Sequence, residues 1–335
     1  MSLSTFDLEE EKLENETRKR KAKLVLIQLP EGLKPHGPRL AAVVEKTGAL
    51  AIVSADPCYG ACDLATVEAE RIGADLIVHY GHTEMIRQAT VSTLYIEAKA
   101  KNSVKSAVKK AVSYLEPWKK IGLVTTVQHV HKLNEARNVL LEASKSVAVG
   151  DVGRLKYAGQ VTGCDYSNAK AVSKEVEAFL FVGGGKFHAL GVALATAKPT
   201  IVADPYERRA FSIEDETARI LKKRWANIYE AEQIEKIGVL IGLKAGQKRL
   251  DQALKMKKLV ENAGKKVTFF ALKEITPEAL MQFPTVDAFI NTACPRLSLD
   301  DAKQFCKPLL TSDEMLVVLG KLQWEELCKR GWFES

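Results

Sequence analysis

Short, continuous apolar runs alternate with amphipathic segments along most of this chain. In the first third, apolar runs at residues 24–29, 51–54 and 76–80 are each soon followed by Gly, Pro or Asp. The segments between them, residues 38–46 and 64–72, mix apolar and charged positions and are predicted as helices. Strand-sized apolar runs that alternate with helices are typical of a parallel sheet that is buried on both faces.

The same order recurs in the middle and last thirds. The predicted strands there are residues 121–124, 147–149, 179–182, 200–203, 237–242, 267–270 and 287–291. The predicted helices are residues 133–143, 169–175 and 247–263. A period of about 110 residues is too long for a solenoid repeat, so the pattern predicts three small doubly wound α/β domains, each a mostly parallel sheet flanked by helices. We place these domains at residues 24–116, 117–228 and 229–335, after a charged segment at residues 1–23.

The composition is that of an ordinary globular protein, with 46% hydrophobic and 27% charged residues. The net charge of +7 is partly local, because residues 18–23 carry five positive charges shortly after an acidic run at residues 9–11. A charged N-terminal helix would explain this segment, and so would a basic surface for an acidic partner.

The cysteine content and the hydropathy of the chain indicate the cellular compartment in which it is expected. Six cysteines are too few for a disulfide scaffold and favour a reduced, cytoplasmic environment. Residues 1–23 are charged rather than apolar, so no signal peptide is expected. No apolar run approaches the roughly 20 residues that a membrane-spanning helix needs. The chain is therefore expected to be cytoplasmic, with no membrane partner.

Three cysteines stand out because each lies at the end of a predicted strand, beside Gly, Pro or Asp. Cys62, Cys164 and Cys294 are 102 and 130 residues apart, so no local motif holds them together. If the fold joins their loops, three thiolates without a fourth protein ligand suit an iron–sulfur cluster with one open iron. Their spacing does not fit a zinc ribbon. It also does not fit the C-x-x-x-C-x-x-C loop of ordinary radical S-adenosylmethionine enzymes, since Cys58 and Cys62 are followed by Ala65.

An isolated cysteine can also be a small buried hydrophobic residue. Cys306 and Cys328 are assigned that role because they lie in helix-like sequence. Cys58 is the open case, since it could reach the same loop site as Cys62. From position alone, the cluster and the buried-thiol interpretations of the three loop cysteines both stay open.

A glycine triplet at residues 183–185 follows another predicted strand. Backbone N–H groups in such a turn can approach a phosphate or a carboxylate closely, although a tight turn without a ligand is an equal alternative. The triplet is not part of a Walker loop, because Phe187 occupies the Ser/Thr position. Three histidines at strand ends could act as acids, as bases or as hydrogen-bonding residues: His79, His82 and His188.

Several motifs, taken in chain order, are similar to those of one known family. They are Tyr-Gly-Ala-Cys at residues 59–62, Val-His-Tyr-Gly-His at 78–82, Gly-Cys at 163–164, Gly-Gly-Gly-Lys-Phe-His at 183–188, Asp-Pro-Tyr at 204–206 and Ala-Cys-Pro-Arg-Leu-Ser at 293–298. Leu-Pro-Glu-Gly at 29–32 and Lys-Pro-Leu-Leu-Thr at 307–311 match as well. The chain thus resembles the archaeal 2-(3-amino-3-carboxypropyl)histidine synthases of diphthamide biosynthesis, from about residue 24 to residue 320.

The resemblance implies three homologous α/β domains around a central [4Fe–4S] cluster, to which each domain gives one cysteine. The open iron would bind S-adenosylmethionine, and one electron would cleave its Cγ–S bond to give a 3-amino-3-carboxypropyl radical and methylthioadenosine. The radical would add to a histidine of translation elongation factor 2, the first step toward diphthamide. The resemblance also implies a cytoplasmic homodimer, an unidentified electron donor and no direct contact with nucleic acid or membrane.

The resemblance assigns the cluster ligands to Cys62, Cys164 and Cys294, and it makes Cys58 a bystander at a place where Thr is expected in relatives. Arg296, beside Cys294, is expected to bind a carboxylate, to tune the cluster or to anchor the loop. Gln247 is expected to begin the first helix of the last domain. Position alone suggests the residues that hold S-adenosylmethionine: Gly183, Gly184, Gly185, His188, Gln247, His79 and His82.

Two other functions stay open from the sequence. A cluster-carrying structural partner, or a non-catalytic subunit, would bind iron without cleaving S-adenosylmethionine. The presence of all three loop cysteines favours the catalytic role. An ordinary Rossmann-type nucleotide enzyme with unrelated cysteines would bind no iron at all.

Overall fold

The computed structural model describes residues 5–86, 89–301 and 303–333, which form three α/β units. The elements of the first unit are β1 (Phe6–Asp7), α1 (Glu10–Lys19), β2 (Leu24–Gln28), α2 (Gly37–Glu45), β3 (Leu50–Val53), α3 (Thr66–Ile72), β4 (Leu76–Tyr80), β5 (Ser92–Ile96) and β6 (Lys99–Ala100). Those of the second unit are α4 (Lys105–Tyr114), β7 (Lys120–Thr125), α5 (Leu133–Glu142), β8 (Ser146–Ala148), α6 (Ser167–Val172), β9 (Ala178–Val182), α7 (Phe187–Thr196), β10 (Thr200–Asp204) and β11 (Arg209–Ser212). Those of the third unit are α8 (Glu214–Glu232), β12 (Lys236–Gly242), α9 (Leu250–Asn262), β13 (Lys266–Leu272), α10 (Pro277–Met281), β14 (Ala288–Asn291), α11 (Pro295–Leu299), β15 (Leu309–Thr311), α12 (Ser312–Val318) and α13 (Trp324–Arg330). Two short 3-10 helices lie at Glu31–His36 and Val130–Lys132.

The main sheets of the three units share one strand order. They read β3-β2-β4-β5, β8-β7-β9-β10-β11 and β13-β12-β14-β15, so the first strand of each sheet pairs with both the second and the third. Neighbouring strands are parallel except β10 and β11, and the separate β1–β6 pair is also antiparallel. In sheets with this order, ligands bind beyond the carboxyl ends of the strands. The predicted α/β class with mostly parallel sheets is confirmed.

Each of the ten predicted strands is present, whereas β1, β5, β6, β11 and β15 were not predicted from the sequence. β4, β9 and β10 are buried along their whole length, which is why they read as continuous apolar runs and not as an alternation. The prediction for residues 76–80 agrees with β4 at both ends, and the ends of the other predicted strands differ from the observed ends by at most two residues.

Two expectations about helices are wrong. α9 begins at Leu250, so Gln247 lies in the turn before the helix and does not begin it. The helix-like segment before Cys306 forms turns and bends in its described residues, while Ala302 lies outside them. Cys306 is exposed, so it is not the buried residue that was expected. Cys328 lies in α13 and packs, half-buried, against the core of the second unit, as predicted.

The hydrophobic cores show how the chain passes between units. Ala107 and Val108 of α4 share a core with Leu123 of β7, so the chain leaves the first core before the boundary expected at residue 116. Near the other end, Trp332 and Phe333 return to the core of the second unit. The division at residues 116 and 228 stays a prediction, and the packing of α4 favours an earlier first boundary.

The N-terminal segment forms α1, whose Leu13 is buried in the first core. On its outer face, Arg18 and Arg20 form ion pairs with Glu14 and Glu16, one turn earlier in the helix. The charged N-terminal helix is therefore confirmed for the described residues, while residues 1–4 lie outside them. Across the described ranges, no helix combines the length and the apolar character that crossing a membrane requires.

A fully buried ion pair joins α8 to α12. Arg224 donates to Glu314 Oε1 at 2.6 Å and to Oε2 at 2.5 Å, and neither side chain is exposed. The guanidinium also donates to the carbonyl oxygens of Ser298 and Leu309 at 2.7 and 2.8 Å. Glu314 accepts a further hydrogen bond from Trp332 Nε1 at 2.8 Å. Because hydrogen bonds meet both charges, the core tolerates the pair, but removal of one partner leaves the other charge uncompensated.

Replacing Arg224 with Met is expected to lower the free energy of unfolding by about 3–5 kcal/mol, because Glu314 would stay buried without its partner. Lys19→Ala is the matched control, since it removes an exposed ion pair with Glu16, and it is expected to leave stability nearly unchanged. Chemical unfolding followed by circular dichroism measures both variants. Equal and small effects would contradict the importance of the buried pair.

Candidate metal centre

The three loop cysteines line one cavity of about 1290 Å³. Cys62 follows β3 and Cys164 follows β8, each the second strand of its main sheet in chain order, whereas Cys294 follows β14, the third strand of its sheet. Loops after the strands of all three sheets contribute to the wall of the cavity. The fold therefore brings thiols that are more than a hundred residues apart in sequence to the carboxyl ends of three sheets.

The three thiols are free, and their surroundings disfavour the charged form. Burial, followed by the proximity of Cys62 and Cys294, raises the pKa of Cys164 to about 11. Burial also raises the pKa of Cys62 and the pKa of Cys294. Three thiolates in one cavity repel one another, so a bound cation is needed to keep all of them deprotonated at neutral pH.

A loop of the third unit clamps Cys62. The Gly246 N–H donates to the carbonyl oxygen of Cys62 at 2.8 Å, and Gln247 Nε2 donates to Cys62 Sγ at 3.4 Å. A Cβ atom at Gly246 would lie 2.6 Å from the Cα atom of Cys62, so this approach requires glycine. The contact fixes the Cys62 loop at the edge of the cavity.

A buried group of charged residues holds the same two loops together, the one that carries Cys62 and the one that follows β12. Lys244 is 7% exposed and contacts Asp63 Oδ2 at 2.9 Å and Glu274 Oε1 at 2.8 Å. Its ammonium group lies 4.1 Å from the centroid of the Tyr59 ring. Burial opposes the charge on Lys244, but the hydrogen bonds to Glu274 and Asp63 outweigh it and raise the pKa of Lys244. Because Asp63 directly follows Cys62, the cluster ties the cysteine loop to the third unit.

Hydrogen bonds within the third unit hold the Cys294 loop. Asn291 Nδ2 donates to the carbonyl oxygen of Cys294 at 2.6 Å and to Ser298 Oγ at 3.2 Å. Asn291 Oδ1 accepts from the Ala293 N–H at 2.9 Å. Since Arg224 donates to the Ser298 carbonyl oxygen, the buried ion pair also supports the helix that follows Cys294.

Arg296 links the Cys294 loop to the second unit. It is 3% exposed, its guanidinium carbon lies 3.9 Å from the centroid of the Phe187 ring, and Nη2 donates to the Phe187 carbonyl oxygen at 2.5 Å. It also forms an ion pair with Asp300 at 2.5 Å. The Phe187 ring packs against Gly163, directly before Cys164. Of the roles expected for Arg296, these contacts favour that of a loop anchor.

The residues suggested for S-adenosylmethionine divide into two groups. Four of them line the cavity: Gly184, His188, Gln247 and His82. Three others do not line it: Gly183, Gly185 and His79. The Gly185 N–H donates to Asp204 Oδ2 at 3.1 Å, so this residue completes the turn. The assignment of all seven to S-adenosylmethionine stays a prediction.

The histidines in the cavity wall are neutral at physiological pH. Burial lowers the pKa of His82 and of His129 to about 4. Burial, with a smaller effect of the nearby Arg296 charge, lowers the pKa of His188 to about 3. His129 packs edge-on against Tyr206, with ring centroids 5.3 Å apart. Neutral imidazoles can accept hydrogen bonds and do not repel a cationic ligand.

Several residues that line the cavity or support its loops were not singled out from the sequence: Lys244, Asp63, Glu274, His129 and Arg224. Asp63 stands next to Cys62, and Lys244 follows soon after a predicted strand, so strand-end position was an available signal for both. Arg224 offers no such signal, because it lies inside α8 and its partner is 90 residues away.

The chain has clear relatives among known proteins. The family model of diphthamide synthesis proteins matches residues 29–328. The chain belongs to this family. A 2-(3-amino-3-carboxypropyl)histidine synthase from Pyrococcus horikoshii is 38% identical over 301 residues, 89% of this chain and 86% of that protein. Subunit 1 of the synthase from Caenorhabditis elegans is 31% identical over 314 residues, 91% of this chain and 78% of that protein.

A solved structure in the diphthamide synthesis family has the same fold. Dph2 from Pyrococcus horikoshii with a 4Fe-4S cluster aligns with a TM-score of 0.87 and 35% identity, over 95% of this chain and 92% of that chain. The resemblance seen in the motifs is therefore confirmed. The chain is an enzyme of diphthamide biosynthesis, of the transferase class.

In the metal-free protein, alkylation is expected to label Cys306 first and Cys58 last. The thiolate is the reactive form, Cys306 is exposed, and burial raises the pKa of Cys58 to about 12. Raising a mildly alkaline pH by one unit should speed the labelling of Cys58 about tenfold, because the pH stays below that pKa. Peptide mass spectrometry after timed iodoacetamide treatment gives the rates. Labelling of Cys58 as fast as Cys306 would contradict its buried environment.

Proposed function

We propose that this enzyme transfers a 3-amino-3-carboxypropyl group from S-adenosylmethionine to a histidine of translation elongation factor 2, by a radical mechanism and as the first step of diphthamide biosynthesis. The observation that carries the proposal is the meeting of Cys62, Cys164 and Cys294 at one cavity. Two relatives support it: the synthase from Pyrococcus horikoshii, and Dph2 from that organism, solved with a 4Fe-4S cluster.

The donor set at the cavity fits a [4Fe–4S] cluster. Cys62, Cys164 and Cys294 would hold three irons and leave the fourth free for a substrate. When bound, the cluster supplies the electron that cleaves the Cγ–S bond of S-adenosylmethionine, which gives a 3-amino-3-carboxypropyl radical and methylthioadenosine. The hydrogen bond from Gln247 to Cys62 Sγ would stabilise negative charge on the sulfur and raise the reduction potential.

The size and charge of the cavity suit two substrates. Its volume of about 1290 Å³ exceeds the roughly 300–1,000 Å³ of a typical small-molecule site, which leaves room for a peptide segment beside S-adenosylmethionine. The neutral His82, His129 and His188 do not repel a sulfonium cation. Arg249 also lines the cavity, where its charge suits a carboxylate such as that of the amino acid end.

The proposal extends to the partners of the enzyme. It includes a cytoplasmic homodimer, elongation factor 2 as protein substrate and a separate electron donor. The similarity to a chain named as subunit 1 of a synthase supports assembly with a second family chain. The seven residues assigned by position to S-adenosylmethionine belong to the same proposal, with Gly184, His188, Gln247 and His82 supported by their place in the cavity wall.

Anaerobic incubation with S-adenosylmethionine, dithionite and elongation factor 2 tests the proposed reaction. Formation of methylthioadenosine together with a matching mass gain on the factor is the expected result. A cluster that forms but does not cleave S-adenosylmethionine would indicate a structural partner or a non-catalytic subunit instead. A protein that takes up no iron after anaerobic reconstitution would indicate a nucleotide enzyme with unrelated cysteines.

Replacing Cys164 or Cys294 with Ala is expected to remove the bound cluster and most of the activity, because each thiol holds one iron. Cys62→Ala should have the same effect, whereas Cys58→Ala should keep the iron, since Cys58 does not line the cavity. Cys328→Ala, in α13, is the matched control. Iron and sulfide analysis after anaerobic reconstitution measures the loss.

Full iron content in Cys164→Ala or Cys294→Ala would contradict the three-ligand site. A greater loss of iron from Cys58→Ala than from Cys62→Ala would show that the first loop uses the other cysteine.

A further inference from the structure

We propose that Cys58, His79 and His82 form a second metal site, separate from the three cavity cysteines, that takes one Zn²⁺ ion. One donor atom from each residue lies within 4.8 Å of the other two, a grouping found among the described residues. Cys58 and His79 are buried, and His82 is half-buried and lines the cavity. This inference does not rest on the proposed reaction, and it assigns His79 and His82 to the metal in place of S-adenosylmethionine.

Hydrogen bonds fix which nitrogen of His79 carries a lone pair. Gln28 Nε2 donates to the carbonyl oxygen of Asp63 at 2.6 Å, so Gln28 Oε1 is an acceptor. That oxygen accepts from the Ala65 N–H at 3.1 Å and lies 2.8 Å from His79 Nδ1. His79 Nδ1 therefore carries the proton, and Nε2 carries the lone pair. A ring N–H that donates to a fixed carbonyl group is the usual support for a histidine that binds zinc.

The distances are close to those that zinc needs. His79 Nε2 and His82 Nδ1 lie 2.9 Å apart. Tetrahedral zinc places two ring nitrogens about 3.3 Å apart and a thiolate sulfur about 3.6 Å from each nitrogen. The imidazole nitrogens would have to separate by about 0.4 Å, and Cys58 Sγ would have to approach by at most about 1.2 Å. Rotation of the half-buried His82 side chain can supply the first change.

The donor types select the metal. One thiolate and two imidazoles suit Zn²⁺, whereas Ca²⁺ and Mg²⁺ require oxygen ligands. Three protein ligands leave a fourth position for water or another ligand. In the metal-free protein His82 Nδ1 donates its proton to the lone pair of His79 Nε2. On binding, Cys58 would lose its thiol proton and His82 would move its ring proton from Nδ1 to Nε2, so one proton is released for each ion bound.

The ion would hold the cysteine loop from a second side. Cys58 and Cys62 are four positions apart in one loop, and Lys244 anchors that loop to the third unit through Asp63. His79 belongs to β4, and His82 follows it. A metal shared by Cys58, His79 and His82 would therefore fix the start of the loop to the first sheet.

Cobalt is a suitable probe, because thiolate-bound Co²⁺ gives a near-ultraviolet charge-transfer band. The full chain with Cys62, Cys164 and Cys294 all replaced by Ala is titrated with Co²⁺ under anaerobic conditions, after circular dichroism has confirmed its fold. We expect one Co²⁺ per chain with the thiolate band, displacement by Zn²⁺ and release of one proton. Adding Cys58→Ser should abolish the band, whereas adding Cys328→Ser, the matched control, should leave it unchanged.

Gln28→Leu tests the support of His79. It removes the acceptor of the Nδ1 proton but none of the ligands, so the affinity for Co²⁺ should fall by about 10–100-fold.

Absence of the thiolate band in the folded triple variant, or its persistence after Cys58→Ser, would overturn the proposal. If the triple variant does not fold, the zinc and iron contents of the cluster-loaded natural chain and of its His82→Gln variant are measured instead. Zinc in the natural chain that is lost in His82→Gln, with iron unchanged, supports the site, and equal zinc in both overturns it.

Discussion

The cavity depends on the contact between the loop after β12 and the loop that carries Cys62. Gly246 lies so close to Cys62 that no larger residue fits, and Lys244 sits buried between Asp63 and Glu274. A buried lysine is stable only while its carboxylate partners stay in place, so the two loops hold each other in one arrangement. This contact joins the first unit to the third, and it places Cys62 at the cavity shared with Cys164 and Cys294.

The shared strand order explains how three sheets can build one site. In each main sheet, the third strand in chain order lies between two other strands. Residues that follow this strand line the cavity: His82 after β4, Gly184 after β9 and Cys294 after β14. The first two units supply their cysteines from the loop after the second strand, whereas the third unit uses the loop after the third. The loop after the third strand thus carries a cysteine in the third sheet but not in the first two. The three thiols meet at one cavity although they do not come from equivalent loops.

The sequence predicted most strands of the main sheets because buried strands leave a continuous apolar signal, but β5, β11 and the three-residue β15 were missed. α7 was missed for a related reason: it is buried from Ala189 to Thr196, so it has no polar face that would reveal a helical period. The cysteines could be found from their Gly, Pro and Asp neighbours at strand ends. The contacts that position them could not, because Lys244 and Asp63 are 181 residues apart and no local pattern records their meeting. The arrangement of the three sheets brings such distant residues together, and a local sequence pattern does not record that arrangement.

The loop from Cys58 to Cys62 carries two thiols whose surroundings differ, and the difference favours Cys62 as the thiol at the metal site. Burial, followed by the nearby Asp63 carboxylate, raises the pKa of Cys58 to about 12. Burial also raises the pKa of Cys62, but the hydrogen bond from Gln247 opposes it. Cys62 lines the cavity, and Gln247 donates a hydrogen bond that can stabilise its thiolate. Cys58 does not line the cavity and lies beside the imidazole rings of His79 and His82. One short loop thus gives two thiols different environments, and of the two Cys62 lines the cavity that Cys164 and Cys294 also line.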